Sequence, residues 1–270
     1  MIGVFDSGIG GLTVVRALMD LLPDQEIIYL GDTARTPYGS KSKETIVRYS
    51  LNTADFLVRH GAKIIVIACN TASSHAYEAV RSRFQMPVFE VIGPGARLAV
   101  ERSKRLKIGI IGTRATISSG IYERKILDIQ AKAKVVMTPC PLLVPLVEEG
   151  WLKKPETVMI VRKYLAPLKT RQIDTLILGC THYPVLRDVI QRKIGAQVAL
   201  VDSAEAIADQ VHRHFNPHGR EASVNPAGKG RCRIYVTDTA GQFKKTAQLI
   251  LGKRLPIEQV DIQRPCRSIN

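Results

Sequence analysis

Short apolar runs alternate with longer mixed stretches along almost the whole chain. The runs at 2–5, 27–30, 64–68, 88–91, 107–111, 135–137, 175–178, 198–201 and 234–236 are brief and rich in β-branched residues, which predicts buried strands. The stretches between them carry helical spacing. Val47, Leu51, Ala54 and Val58 fall on one face of such a stretch, with Gly61 just beyond it as a stop. Pro23 ends an earlier helical stretch. Fully apolar strands alternating with helices predict α/β structure, with parallel sheets covered on both faces.

An internal echo divides the chain. Ile2-Gly3-Val4-Phe5-Asp6-Ser7 is similar to Ile108-Gly109-Ile110-Ile111-Gly112-Thr113. Ile64-Ile65-Val66-Ile67-Ala68-Cys69-Asn70-Thr71 is similar to Thr175-Leu176-Ile177-Leu178-Gly179-Cys180-Thr181-His182. The expected architecture is therefore two similar parallel-sheet α/β domains related by pseudo-two-fold symmetry, each with a cysteine just past a buried strand. Gly93-Pro94-Gly95 marks the first boundary. The first domain is expected over 1–95 plus 208–270, with the last strand and helix returning to it, and the second over 96–207. The polar stretch 216–231, with Pro217, Gly219, Pro226, Gly228 and Gly230, reads as an exposed loop.

A length of 270 residues suits two modest domains or one large one. No apolar run approaches the ~18 residues of a membrane span. The start, MIGVFDSG, has no basic segment or cleavable apolar stretch, so no secretory signal is read. Five cysteines (Cys69, Cys140, Cys180, Cys232 and Cys266) are odd in number and widely spaced. That argues against a disulfide framework and for a reducing cytoplasm. The formal charge of +15 favours an acidic ligand or nucleic acid. The basic residues are scattered, without aromatic interleaving, so a nucleic-acid partner is not expected.

In open parallel sheets, ligands sit beyond the carboxyl ends of the strands. This reading places Asp6-Ser7-Gly8, Cys69-Asn70-Thr71, Gly112-Thr113 and Cys180-Thr181-His182 there. Backbone N–H groups at helix starts in such places favour carboxylates. A helix start also lowers a thiol's pKa, and a shift from ~8.5 to ~7 needs about 2 kcal/mol. His182, two residues from Cys180, can tune a thiol or relay a proton. Asp6 either holds an ammonium group, aids a thiol or caps a helix. Glu148 and Glu149 read as a solvated helix end. Gly8-Ile9-Gly10-Gly11 fails as a dinucleotide loop because Thr13 stands where the third glycine belongs. Cys69, His75, Cys180 and His182 have poor zinc spacing, and no metal is expected.

Several long blocks carry a specific resemblance. They are Val4-Phe5-Asp6-Ser7-Gly8-Ile9-Gly10-Gly11-Leu12-Thr13, Gly31-Asp32-Thr33-Ala34-Arg35, Pro37-Tyr38-Gly39, Ala68-Cys69-Asn70-Thr71-Ala72-Ser73, Cys140-Pro141-Leu142 with Glu148-Glu149-Gly150, and Leu178-Gly179-Cys180-Thr181-His182-Tyr183-Pro184. In this order they resemble glutamate racemases of the aspartate/glutamate racemase superfamily, over nearly the whole chain. The resemblance implies two α/β domains with glutamate between them, no cofactor, and supply of D-glutamate for peptidoglycan. It implies that Cys69 acts on D-glutamate and Cys180 on L-glutamate, assisted by Asp6, Glu149 and His182. It implies substrate binding by Asp6, Ser7, Tyr38, Gly39, Asn70, Thr71, Thr181 and His182. A homodimer is compatible with it. The enzymatic rival is a related aspartate or hydantoin racemase; the rival of another class is a basic nucleic-acid-associated protein. The tail after Ile262 matches nothing assignable.

Overall fold

The computed structural model describes residues 1–217, 231–239 and 243–262. Most of the expected loop at 216–231 and the tail after Ile262, Cys266 included, lie outside the described residues. The strands are β1 (Ile2–Asp6), β2 (Ile27–Gly31), β3 (Ile64–Ile67), β4 (Val88–Glu90), β5 (Lys107–Gly112), β6 (Lys134–Pro139), β7 (Thr175–Gly179), β8 (Ala199–Asp202), β9 (Cys232–Val236) and β10 (Ile257–Gln259). The helices are α1 (Leu12–Leu21), α2 (Lys43–Arg59), α3 (Asn70–Arg83), α4 (Ile92–Arg102), α5 (Arg114–Ser118), α6 (Ile121–Ile129), α7 (Leu143–Glu148), α8 (Pro155–Thr170), α9 (Arg187–Ile194), α10 (Ser203–Phe215) and α11 (Phe243–Leu251).

Two sheets result. One has the order β10-β9-β2-β1-β3-β4 and the other β6-β5-β7-β8. All pairings are parallel. The order β2-β1-β3-β4 is repeated as β6-β5-β7-β8, so the sequence echo is a repeat of topology. The polar strand β10, on the edge beyond β9, was not foreseen because Ile257-Glu258-Gln259 lacks an apolar run.

Each sheet is apolar on both faces. Ile2, Val4, Ile27 and Tyr29 pack with α1, α10 and α11 on one side of the first sheet. Phe5, Ile28, Leu30, Ile65 and Ile67 pack with α2 and α3 on the other. Fully burying one such aliphatic or aromatic side chain contributes about 1.5–3 kcal/mol. Two expectations need correction. The face of α2 that is fully buried is Ile46, Ala54 and Leu57 rather than 47/51/54/58, whose Val47, Leu51 and Val58 are half-buried around it. Gly61 does stop that helix, at φ +92°, where a side chain is disfavoured. Gly93-Pro94-Gly95 is helical rather than a link. Glu90 accepts hydrogen bonds from the N–H groups of Ile92 (2.5 Å) and Gly93 (2.9 Å), and Pro94 lies in the first turn, where its missing N–H costs nothing.

The helices at the two crossings change sides. α4 follows β4 of the first sheet, yet its Ile92, Ala96 and Ala99 pack under the second. α10 follows β8 of the second sheet, yet its Ala204, Ile207, Ala208 and Val211 pack under the first. The exchange ties the two sheets together at their facing ends.

Candidate active site

Sheet order reverses between β1 and β3, and again between β5 and β7, which opens a crevice at the strands' carboxyl ends. Asp6 ends β1, Cys69 follows β3, Thr113 follows β5 and Cys180 follows β7. All are buried. Ser7, Tyr38, Gly39, Cys69, Asn70 and Thr71 come from the first half, and Thr113, Val144, Cys180, Thr181 and His182 from the second. Together they line one enclosed space. Only about 10 Å³ of it admits the centre of a water-sized sphere, room for about one water molecule.

The halves touch through polar contacts. The Thr181 hydroxyl donates to Asp6 Oδ1 (3.2 Å), whose other oxygen accepts from Gly8 N–H (3.0 Å). Thr71 Oγ1 lies 2.9 Å from Thr113 Oγ1 and 3.2 Å from Thr116 Oγ1. Tyr122 donates to Asn70 Oδ1 at 2.7 Å. Gly10 needs to be glycine: a Cβ there would stand 2.4 Å from Thr181 Oγ1 and 2.7 Å from His182 Nδ1. Tyr38 is turned away from solvent by a hydrogen bond from its hydroxyl to Asp32, while Gly39 packs on Thr113.

Cys69 is the N-cap of α3: its sulfur accepts from Ala72 N–H (3.4 Å) and its S–H donates to Ser7 Oγ (3.5 Å). A helix start was expected to lower this thiol. Burial outweighs it. Desolvation, with the nearby Asp6 charge, pushes Cys69 up to about 12 against the weaker pull of Ser7 and Ala72. Burial likewise raises the Asp6 carboxyl, opposed chiefly by His182.

The second thiol stands differently. Cys180 Sγ is 3.8 Å from His182 Nδ1. His182 Nε2 is 3.3 Å from Glu148 Oε1, within ion-pair reach but off the hydrogen-bond direction. Burial would favour neutral imidazole. Contacts with Cys180 and Glu148 overcome it and raise His182 to about 10. Glu148 also faces Thr36 Oγ1, at 3.5 Å. Glu149 caps the end of α7 and is exposed. Glu148, rather than the expected Glu149, faces His182: one residue along a helix turns the side chain by about 100°.

Thr113 was placed at the strand ends from the sequence, where the echo pairs it with Ser7; Thr116 and Tyr122 were not singled out. Cys140 lies in the core of the second half, its S–H directed at Thr138 O (3.5 Å), and Cys232 is half-buried on β9. His75 bonds Ala115 O at 3.1 Å, and no metal-binding group of three or more His, Cys, Asp or Glu occurs among the described residues.

Two matched parallel-sheet halves, each bringing one thiol to a shared buried cavity, define a protein suited to acid–base chemistry on a carbon held between them. The chain belongs to the Asp/Glu/Hydantoin racemase family, whose profile matches residues 12–211. It is 45% identical to a glutamate racemase from Persephonella marina over 265 residues, 98% of each chain. Its fold is similar to that of a glutamate racemase from Bacillus anthracis (TM-score 0.90, 36% identity, 97% of both chains). It is similar also to one from Francisella tularensis crystallised with D-glutamate (TM-score 0.88, 35% identity, 97% of both chains).

Proposed function

We propose that this protein is a glutamate racemase that interconverts L- and D-glutamate by proton transfer between two thiols, without metal or organic cofactor. The observation that carries the reading is that Cys69 and Cys180 reach one closed cavity from opposite sheets. A stereocentre inverted by proton transfer needs one acid–base group on each face. The Cys69 thiolate takes the α-proton of D-glutamate, and the electron pair left on carbon spreads into the α-carboxylate. The Cys180 thiol then delivers a proton to the opposite face, giving L-glutamate, a Cys180 thiolate and a Cys69 thiol; the reverse reaction exchanges the roles.

Cys69 must first lose a proton that burial holds tightly. The substrate's ammonium supplies a positive charge that favours the thiolate. Asp6, which burial makes more basic, is the neighbouring acceptor. His182, raised by its contacts with Cys180 and Glu148, favours the thiolate that Cys180 becomes when it gives up its proton. Ser7, Tyr38-Gly39, Asn70-Thr71 and Thr181 hold the two carboxylates with hydroxyls, amides and helix-start N–H groups, which also stabilise charge developing in the transition state. The cavity is too small for glutamate as it stands, so the two halves, each with the crossing helix packed under its sheet, part for entry and close for reaction. Its role, as the family resemblance implies, is supply of D-glutamate for peptidoglycan in the cytoplasm.

A coupled assay of D-glutamate conversion to L-glutamate tests the reading. Turnover should survive exhaustive chelation and exceed that of D-aspartate. Absent glutamate turnover, or activity lost to chelation and restored by zinc, would overturn it.

A further inference from the structure

Asn70 is the first residue of α3 and 2% exposed. Its carbonyl oxygen accepts the Tyr122 hydroxyl at 2.7 Å, while its Nδ2 is buried and without a hydrogen-bond partner. A buried amide that donates to nothing costs about 1–3 kcal/mol, so one in a cavity wall points to a ligand acceptor. Which end of an amide faces a cavity is decided by what holds the other end.

Tyr122 makes that decision. It is fully buried on α6, in the opposite half from Asn70. Burial, and then the charges of Glu90 and Asp202, push its phenol well above the ordinary range, so it keeps its proton. Its hydroxyl donates to Asn70 Oδ1. That bond holds the carbonyl end of the amide and leaves the N–H₂ for the cavity.

We infer that Tyr122 is a positioning residue: it fixes the flip of the Asn70 amide so that Nδ2 donates to a carboxylate of glutamate. This rests on the glutamate racemase reading. Because Tyr122 and Asn70 belong to different halves, the donor is oriented only when the halves are together, which couples closure to carboxylate recognition.

The test is a double-mutant cycle of Tyr122→Phe and Asn70→Ala, with steady-state kinetics on both enantiomers. Tyr122→Phe keeps the ring and removes the hydroxyl. It should raise KM about tenfold for D- and L-glutamate, with a smaller fall in kcat, as expected for one misdirected hydrogen bond to a charged group. In the Asn70→Ala background the same change should alter KM less than about twofold. Equal effects in both backgrounds would mean that Tyr122 acts on packing alone and would overturn the inference, as would an unchanged KM in Tyr122→Phe. If Tyr122→Phe does not fold, Asn70→Asp is the second variant: it has no N–H₂ to donate, so KM should rise at least about tenfold for both enantiomers, and an unchanged KM would overturn the inference. Wild-type protein inactive on glutamate would defeat the function itself; active wild type with additive mutants would defeat only the role of Tyr122.

Discussion

The two thiols occupy matched places in a repeated topology, yet they are served by different chemistry. Cys69 caps the 14-residue helix α3 and has a serine, a backbone N–H and a buried carboxylate about it. Cys180 is followed by a short 3-10 turn, Tyr183–Leu186, and has the imidazole of His182 instead. The echo shows where they part. Asp6 aligns with Gly112, and Thr71 with His182, so each half keeps one charged helper where the other has none. Those helpers meet across the seam, where His182 lowers the Asp6 carboxyl against its burial. The repeat conserves where a thiol is delivered and leaves its proton affinity to the neighbours. Because the enantiomers of glutamate are equal in free energy, kcat/KM must be equal in both directions for any variant. Unequal surroundings can therefore show only in kcat and KM separately, in pH profiles, or in isotope exchange.

Exchange gives the strongest break. Cys69→Ala and Cys180→Ala should each lower inversion by about 10²–10⁴, the worth of a positioned acid or base. In heavy water, residual exchange in Cys180→Ala should act on D-glutamate and return it unchanged in hand, while Cys69→Ala should exchange only L-glutamate. Near-normal racemisation in either variant would end the two-thiol mechanism. Exchange on the wrong enantiomer would reverse the facial assignment.

The seam itself can be forced apart. In Gly10→Ala the new methyl meets Thr181 and His182. We expect a loss of about 10² in kcat/KM, the scale of a 1 Å misplacement, with an unchanged far-ultraviolet circular dichroism spectrum. Activity close to that of the wild type would show that this contact is absent from the reacting state.

The nine apolar runs located nine of the ten strands among the described residues, because buried parallel strands are continuous in their apolar character. The edge strand β10 is polar and half-solvated, so periodicity had no purchase on it. The cysteines were legible because the same short motif recurs after matched strands. Glu148 was not, because neighbouring glutamates on a helix end look alike until the helix is placed. Tyr122 was invisible for a related reason: its value lies in meeting Asn70 across 52 residues of sequence. The proton affinity of Cys69 was not legible, because a helix start is local in sequence while burial is not.

The pair of glutamates offers an internal control. Glu148→Gln removes the anion beside His182 and should lower kcat/KM about tenfold, on the scale of one charge-assisted hydrogen bond. Glu149→Gln should stay within about twofold of wild type, as surface changes usually do. The opposite ranking in a side-by-side assay would return the helper's role to Glu149.

The mildest expected effect concerns stability and singles out the Cys180 side. His182 has its pKa raised from 6.5 to about 10 in the folded chain. A group raised on folding stabilises fully below its unfolded pKa and loses that contribution as pH rises through its folded pKa. The window is therefore from about 6.5 to about 10. Across it wild type should lose more stability than His182→Gln, which has no such proton to release. For a chain of this size each kcal/mol lost corresponds to roughly 2–4 °C, so melting curves at half-unit steps of pH resolve the divergence. Parallel curves would mean that the imidazolium is not held in the folded protein. The contrast between the thiols would then rest on Asp6 and the helix start alone.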